Sequence, residues 1–225
     1  TASFQGIADQ LHQLEFGVRP RIASETLLRD RIMAAATAAD VKGFSDRFLL
    51  SEWINVVDAW GIETLDDYVA VQRMGRKSRL GPKQRERLWP VFAAVRAALQ
   101  TERYTTWAAV FSLLAARFAA KSAKPFDHIV IDEAQDLGPS ELRFFAAIAP
   151  DHADALFLAG DLGQRIFQHP YSWKSLGVDV RGQRQLHEDA VDVVPRVEAG
   201  DEGQQFVGGR RGGQHEGLAA HPDRV

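Results

Sequence analysis

Large apolar side chains recur every three or four residues through residues 1–121 of the chain. This interval is the repeat of one face of an α-helix, and packing between helices is the simplest interpretation of the aromatic members. Ser45 and a Thr-Leu-Asp-Asp stretch at 64–67, which resembles a capping box, are typical of helix starts. We therefore predict a mostly helical subdomain over residues 1–121. The apolar positions that carry the repeat are Leu49, Trp53, Val56, Val57 and Trp60, followed by Trp107, Val110, Phe111, Leu114 and Phe118.

The pattern changes at Pro125. A short run rich in β-branched residues, 126–131, is typical of a buried parallel strand, and the apolar run at 155–159 predicts a second buried strand. Between them, a Gly-Pro-Ser start at 138–140 opens an apolar face that predicts a helix of about twelve residues. Strand, helix and strand in this order predict a parallel βαβ unit. Its chemistry should lie at the carboxyl ends of the strands.

The last segment, residues 182–225, differs in composition from everything before it. It holds 8 of the 18 glycines and, besides valines, only three large apolar residues. It contains 8 acidic residues and 5 arginines, so the formal net charge of −3 lies entirely in this segment. Because so few apolar groups cannot offset the entropy of ordering the chain, we predict a disordered tail.

The residue types of this segment also suggest a shifted reading frame. From Leu176 to Val225 every residue except Phe206 belongs to the ten types whose codons can begin with G or C, whereas fifteen of the residues 126–175 do not. GC-rich genes concentrate G and C at the third codon position, and a frame change moves that position to the first. The hypothesis is a frameshifted tail; a natural low-complexity tail is the alternative. Re-sequencing the gene decides between them.

Composition excludes several classes of protein. The 225 residues include no cysteine, which excludes a disulfide framework, a thiolate zinc site, a cysteine nucleophile and a thiolate-bound iron–sulfur cluster. No apolar run approaches the roughly 20 residues that span a bilayer, so no membrane partner is expected. The chain begins with Thr1 and has no signal peptide, and we expect it to be part of a longer intracellular chain.

Two carboxylates directly follow the first predicted strand, in the stretch Asp-Glu-Ala-Gln-Asp at 132–136. Carboxylates at the end of a buried strand are costly unless a cation meets them. In a nucleotide hydrolase the first, here Asp132, holds Mg²⁺ through its water shell, and the second, here Glu133, orients and deprotonates the attacking water. A strand-to-helix turn with capping acids is the alternative for an isolated pair of this kind.

A second polar stretch, Gly-Asp-Leu-Gly-Gln-Arg-Ile-Phe at 160–167, follows the second predicted strand. A glutamine at a neighbouring strand end, here Gln164, can reach a γ-phosphate. The two stretches together resemble motifs II (Walker B) and III of superfamily 1 DNA helicases of the UvrD/Rep/PcrA type. The resemblance extends over residues 40–181.

The resemblance implies a fold, cofactors and a set of site residues. The fold is α/β, a partial RecA-like P-loop NTPase core of parallel strands at 122–181, with the helical subdomain as an insertion of the first motor domain. ATP and Mg²⁺ are the implied cofactors: Asp132 binds the metal, Glu133 is the catalytic base, Gln164 is the γ-phosphate sensor, and Arg165 also lies at the nucleotide. Aromatic rings of this family stack on single-stranded bases. The implied DNA contacts are Phe167, Tyr171, Trp173 and Lys174, and each ring could equally pack internally.

Residues 73–87 form a basic stripe. They contain seven cationic side chains and one acid, Glu86, which gives a local net charge of +6. Such a stripe could follow a phosphate backbone, and a solvated helical face is the equal alternative. Its members are Arg73, Arg76, Lys77, Arg79, Lys83, Arg85 and Arg87, of which the first four are the strongest candidates for DNA contact.

The match also has gaps. No phosphate loop of the G-x-x-x-x-G-K-[ST] kind occurs in the sequence, and the Asn-Tyr-Arg motif expected after Gly182 is missing. The interpretation is an internal fragment of an ATP-dependent DNA helicase or translocase, lacking the Walker A loop and the second motor domain, and inactive by itself. Its expected partners are single-stranded or partly duplex DNA and the remainder of the helicase chain. The expected process is DNA repair, and the expected location is the bacterial cytoplasm, at the nucleoid. The alternatives are a non-catalytic DNA-binding or interaction fragment, and a truncated product without activity.

Overall fold

Seven α-helices and a two-stranded sheet make up the part of the chain that the structure, a computed structural model, describes: residues 2–71, 80–152 and 154–160. The helices before the sheet are α1 (Phe4–Phe16), α2 (Glu25–Ala38), α3 (Asp46–Glu52), α4 (Leu65–Ala70), α5 (Pro82–Thr101) and α6 (Trp107–Ala119). A π-helical segment, Trp53–Asp58, continues α3. The sheet region comprises β1 (Ile129–Ile131), a 3₁₀ turn (Ala134–Asp136), α7 (Pro139–Ile148) and β2 (Leu156–Leu158).

Five of these helices begin behind a serine or threonine. In each case the hydroxyl accepts a hydrogen bond from the backbone N–H three residues later, at 3.1–3.2 Å, and so satisfies one of the unpaired donors of the first turn. The predicted helix starts at Ser45 and Thr64 are confirmed. The five capping residues are Ser3, Ser24, Ser45, Thr64 and Thr106.

The strands and the helix between them confirm the predicted βαβ order. β1 and β2 pair in parallel, with Ile129 opposite Leu156 and Ile131 opposite Leu158. Helix α7 is ten residues long rather than about twelve. It begins with Pro139, whose fixed φ suits a first helical position, and it stops before Pro150, because a residue that precedes a proline disfavours the helical conformation.

The described residues contain two apolar cores. One lies among α2, the α3 and π-helical region, α4 and α5, where Trp53, Tyr68 and Phe92 are fully buried. The other joins α1 and α6 to β1 and α7, so α1 and α6 share a core with the strand that precedes the two carboxylates. Trp60 packs against both cores.

A buried acid lies within the first core. Glu52 has no exposed surface, and its Oε1 accepts a hydrogen bond of 3.0 Å from the Tyr68 hydroxyl. Arg85 lies over the Tyr68 ring and donates to the carbonyl oxygens of Tyr68, Val69 and Val71 at 2.7–2.9 Å. These bonds satisfy carbonyl groups at the end of α4 that have no partner within a helix so short. Arg85, a member of the predicted basic stripe, therefore has a structural role.

Among the described residues, no helix combines the length and the apolarity that crossing a bilayer requires.

Candidate functional site

The two carboxylates of the first motif lie at the carboxyl end of β1. Ile131, the last residue of β1, is buried, whereas Asp132 and Glu133 are exposed, so both acids leave the core as soon as the strand ends. Two backbone hydrogen bonds of 2.8 Å anchor this point to the neighbouring strand: Ala159 donates to Ile131, and Ala134 donates to Ala159. The residues before and after the two acids, Ile131 and Ala134, are thus both hydrogen-bonded to Ala159 in the neighbouring chain segment.

Glu133 has a left-handed backbone conformation, with φ of 54°. For a residue with a side chain this conformation costs about 1–2 kcal/mol, and it persists where the surroundings determine it. Its N–H donates to Oδ1 of Asp132 at 2.9 Å, and its Oε2 accepts a hydrogen bond from Nε2 of Gln135. The first bond orients Asp132 and the second orients Glu133, so the two acids are held by the turn itself.

The chain after β2 presses closely on this turn. A Cβ atom placed on Gly160 would lie 2.9 Å from the backbone nitrogen of Ala134 and 3.2 Å from that of Gln135, and it would overlap Oε1 of Gln135. Real Cβ atoms essentially never come within 3.0 Å of another heavy atom, and 3.2 Å is tighter than nine in ten of their contacts. Position 160 therefore requires glycine because of space, and the ends of the two strands are in direct contact.

Asp132 is the group of this turn that could supply a carboxylate ligand to Mg²⁺. Within the described residues, no group of three or more His, Asp or Glu side chains could hold a metal ion. Mg²⁺ typically takes one or two carboxylates, several waters and the phosphates of its substrate. Asp132 is exposed and uses Oδ1 to accept the N–H of Glu133, and a carboxylate at this position suits such a role.

A separate cavity of about 400 Å³ lies away from these two acids, between the π-helical segment and the starts of α2, α6 and α7. Asp58 lines it, and its carboxylate accepts a hydrogen bond of 2.9 Å from Thr106. Burial raises the pKa of Asp58 to about 6. The hydrogen bond from Thr106 and the charge of Arg96 lower this pKa, and the charge of Glu141 raises it. Asp136, the last acid of the motif, lines this cavity instead of joining Asp132 and Glu133.

The remaining predicted site residues fall into two groups. In the basic stripe, Lys83 and Arg87 are exposed and Arg85 is turned inward. The other predicted contacts lie outside the described residues: Arg73, Arg76, Lys77, Arg79, Gln164, Arg165, Phe167, Tyr171, Trp173 and Lys174.

Sequence reasoning assigned no role to Gln135, Gly160, Asp58 or Thr106. Gln135 stood inside the first motif, and its position two residues after Glu133 was a usable signal. The contact between Gly160 and the turn depends on how the two strand ends meet in space. The bond between Asp58 and Thr106 joins residues 48 positions apart, and no local pattern indicates it.

Comparison with protein families places part of the chain. Residues 91–175 match the family model described as the UvrD/REP helicase N-terminal domain. The matched stretch contains the second half of α5, all of α6, the two strands and α7, and with them Asp132 and Glu133. Comparison with curated proteins and with solved structures found no match.

Proposed function

Because residues 91–175 match the family model described as the UvrD/REP helicase N-terminal domain, we propose that the chain supplies part of an ATP-driven motor that moves along DNA. The single observation that carries the proposal is the pair Asp132 and Glu133, fixed by the turn and by β2 at the carboxyl end of β1. This edge of a parallel sheet is where ligands of such folds bind. The partial core is RecA-like in this proposal, and the motor works on DNA in the bacterial cytoplasm, at the nucleoid.

In the proposed site, Asp132 holds the metal and Glu133 acts on water. Mg²⁺, when bound, neutralises charge on the β- and γ-phosphates of ATP. Glu133 accepts a proton from the water that attacks the γ-phosphate, and its hydrogen bond with Gln135 keeps the carboxylate in one orientation. Gln164 and Arg165 contact the γ-phosphate and the nucleotide in this proposal.

DNA is the proposed partner of the remaining candidates. Phe167, Tyr171 and Trp173 offer rings on which bases can stack, beside the charge of Lys174. Arg73, Arg76, Lys77 and Arg79 track the phosphate backbone. Stacking and backbone contact are both independent of base sequence, which suits a motor that must pass over any sequence.

The first experiment tests hydrolysis. The 225 residues contain no phosphate loop, so the purified chain should hydrolyse ATP at background rates with or without single-stranded DNA. Genomic sequencing on both sides should find a phosphate loop in frame upstream and an Asn-Tyr-Arg motif in another frame downstream. The extended chain should then show DNA-stimulated ATP hydrolysis that Glu133→Gln lowers at least about 100-fold, of the order that removal of a catalytic acid–base group costs. Asp127→Asn, an exposed acid before β1, is the control.

Two results would contradict this proposal: robust DNA-stimulated hydrolysis by the 225-residue chain alone, or full hydrolysis by the extended chain carrying Glu133→Gln. A continuous single frame through residues 182–225 would overturn the frameshift hypothesis alone.

The second experiment tests the basic stripe, which also favours a non-catalytic DNA-binding role as the second candidate function. Fluorescence anisotropy with a labelled oligonucleotide should show binding that weakens steeply with salt. Replacing Arg76, Lys77 and Arg79 by alanine should reduce the log–log salt slope by about 2. The matched control removes Arg19, Arg29 and Lys42, three cations that each pair with a carboxylate. Equal loss of binding in both triple variants would refute a specific role for the stripe, and DNA binding without ATP turnover in the extended chain would favour the non-catalytic function.

A further inference from the structure

The side chain of Gln135 lies between the two strand ends. Only 6% of this residue is exposed, although it belongs to a short turn at the edge of the sheet. Its Nε2 donates to Oε2 of Glu133, and its Oε1 lies against Gly160 on the other side. One amide group thus touches the proposed base and Gly160, the second residue after β2.

No free space separates Gly160 from the turn that follows β1. Most of what a Cβ at residue 160 would meet is backbone: the nitrogens of Ala134 and Gln135 at 2.9 and 3.2 Å. The backbone of Ala134 donates a hydrogen bond to Ala159, and backbone held in this way cannot move aside as the end of a flexible side chain can. A displacement of Gly160 toward the turn must therefore move Gln135.

The contact with Glu133, unlike the one with Gly160, involves a side chain that is exposed to solvent. Glu133 is exposed, and without a partner its carboxylate would rotate freely about three side-chain bonds. A hydrogen bond from an amide to a carboxylate is charge-assisted and stronger than a neutral one, so a single donor restricts those rotations. Gln135 supplies this donor from a buried position that is itself held in place.

We propose that Gln135 is a positioning residue that ties the orientation of the Glu133 carboxylate to the position of Gly160. The proposal rests on the proposed function in one respect, namely that Glu133 is the group acting on water. Gly160 lies four positions before Gln164 in the sequence. A shift of the chain at the end of β2 therefore reaches the proposed base through two contacts, without passing through the nucleotide.

The test uses NMR of the full 225-residue chain, without ATP or DNA. Two signals are followed: the side-chain amide resonances of Gln135 and the side-chain order parameter of Glu133. Glu133→Ala should move the Gln135 amide signal. Gly160→Ala should move the same signal and lower the Glu133 order parameter to below about 0.6, the range of flexible groups. Gly81→Ala is the matched control, because a Cβ at that glycine meets nothing within 4 Å.

A second pair of variants separates positioning from space filling and does not depend on the stability of Gly160→Ala. Gln135→Met has nearly the volume of glutamine and cannot donate, whereas Gln135→Ala removes the volume as well. Both should release Glu133, while a side chain that only fills space would be replaced without effect by methionine. The proposal is overturned when Glu133 stays ordered in Gln135→Met, or when Gly160→Ala leaves the Gln135 signal in place. Since neither signal involves nucleotide, these failures are distinct from a failure of the ATPase experiment.

Discussion

Replacing Asp58 by asparagine should stabilise the chain at neutral pH and have little effect at pH 4. The carboxylate lines the cavity beside α6 and α7, and burial raises its pKa from 3.8 to about 6. Asparagine has nearly the same shape, and its Oδ1 can still accept the hydrogen bond of Thr106. The substitution therefore removes an ionisation and keeps the contact.

The magnitude follows from proton linkage. Between pH 4 and 6 the folded chain holds a proton on Asp58 that the unfolded chain has released, so the stability of the folded state falls as pH rises through this window. Each pH unit contributes about 1.36 kcal/mol, and the full difference amounts to about 3 kcal/mol above pH 6. Because Asp58 keeps some exposure to water, we expect the asparagine variant to gain about 1–3 kcal/mol at pH 7.5.

The assay is urea unfolding followed by circular dichroism at pH 4 and at pH 7.5. The gain in unfolding free energy of Asp58→Asn over the original chain should be large at pH 7.5 and near zero at pH 4. Asp127→Asn, at an exposed site, should show no such difference between the two pH values. Equal stabilisation at both pH values, or none at either, would refute the reasoning.

Two further predictions concern the cores, and each is measured by urea or thermal unfolding. Tyr68→Phe removes the hydroxyl that donates to buried Glu52 and should cost about 1–3 kcal/mol at pH 7.5; a loss below about 0.5 kcal/mol would show that this hydrogen bond contributes little. Phe144→Ala removes a fully buried ring and should cost about 3–5 kcal/mol, while Phe157→Ala, at a ring 57% exposed on the outer face of the sheet, should cost less than about 1 kcal/mol. Similar losses for the two phenylalanines would contradict the placement of the second core.

The elements that sequence predicts well are those with strong local signals. The strand Ile129–Ile131 consists of β-branched residues after a proline, and the next helix has a proline at its first position. Ser45 and Thr64 cap helices through bonds only three residues long. In each case the interactions that decide the structure join neighbours in the chain, so one sequence is enough to find them.

The elements it misses depend on distant contacts. The apolar repeat from Leu49 to Trp60 predicts a helix but not the π-helical geometry of Trp53–Asp58, because a segment of 6 residues is too short for its i→i+5 bonding to alter the repeat recognisably. The charge of Arg85 favours solvent or a phosphate backbone, yet the guanidinium caps α4, whose end lies at least 14 positions earlier in the chain. Neither outcome is visible in a window of a few residues.

The candidate site combines both cases. Asp132 and Glu133 follow an apolar strand directly, so their position at the sheet edge is a local consequence of the sequence. Gly160 marked only the end of a second strand, because nothing near it in sequence demands a glycine. The structure supplies the reason: Gly160, the second residue after β2, lies against the turn that follows β1, and this turn holds Gln135. The size of residue 160 is thus set by a group 25 positions earlier, and any larger side chain must displace the donor that orients Glu133.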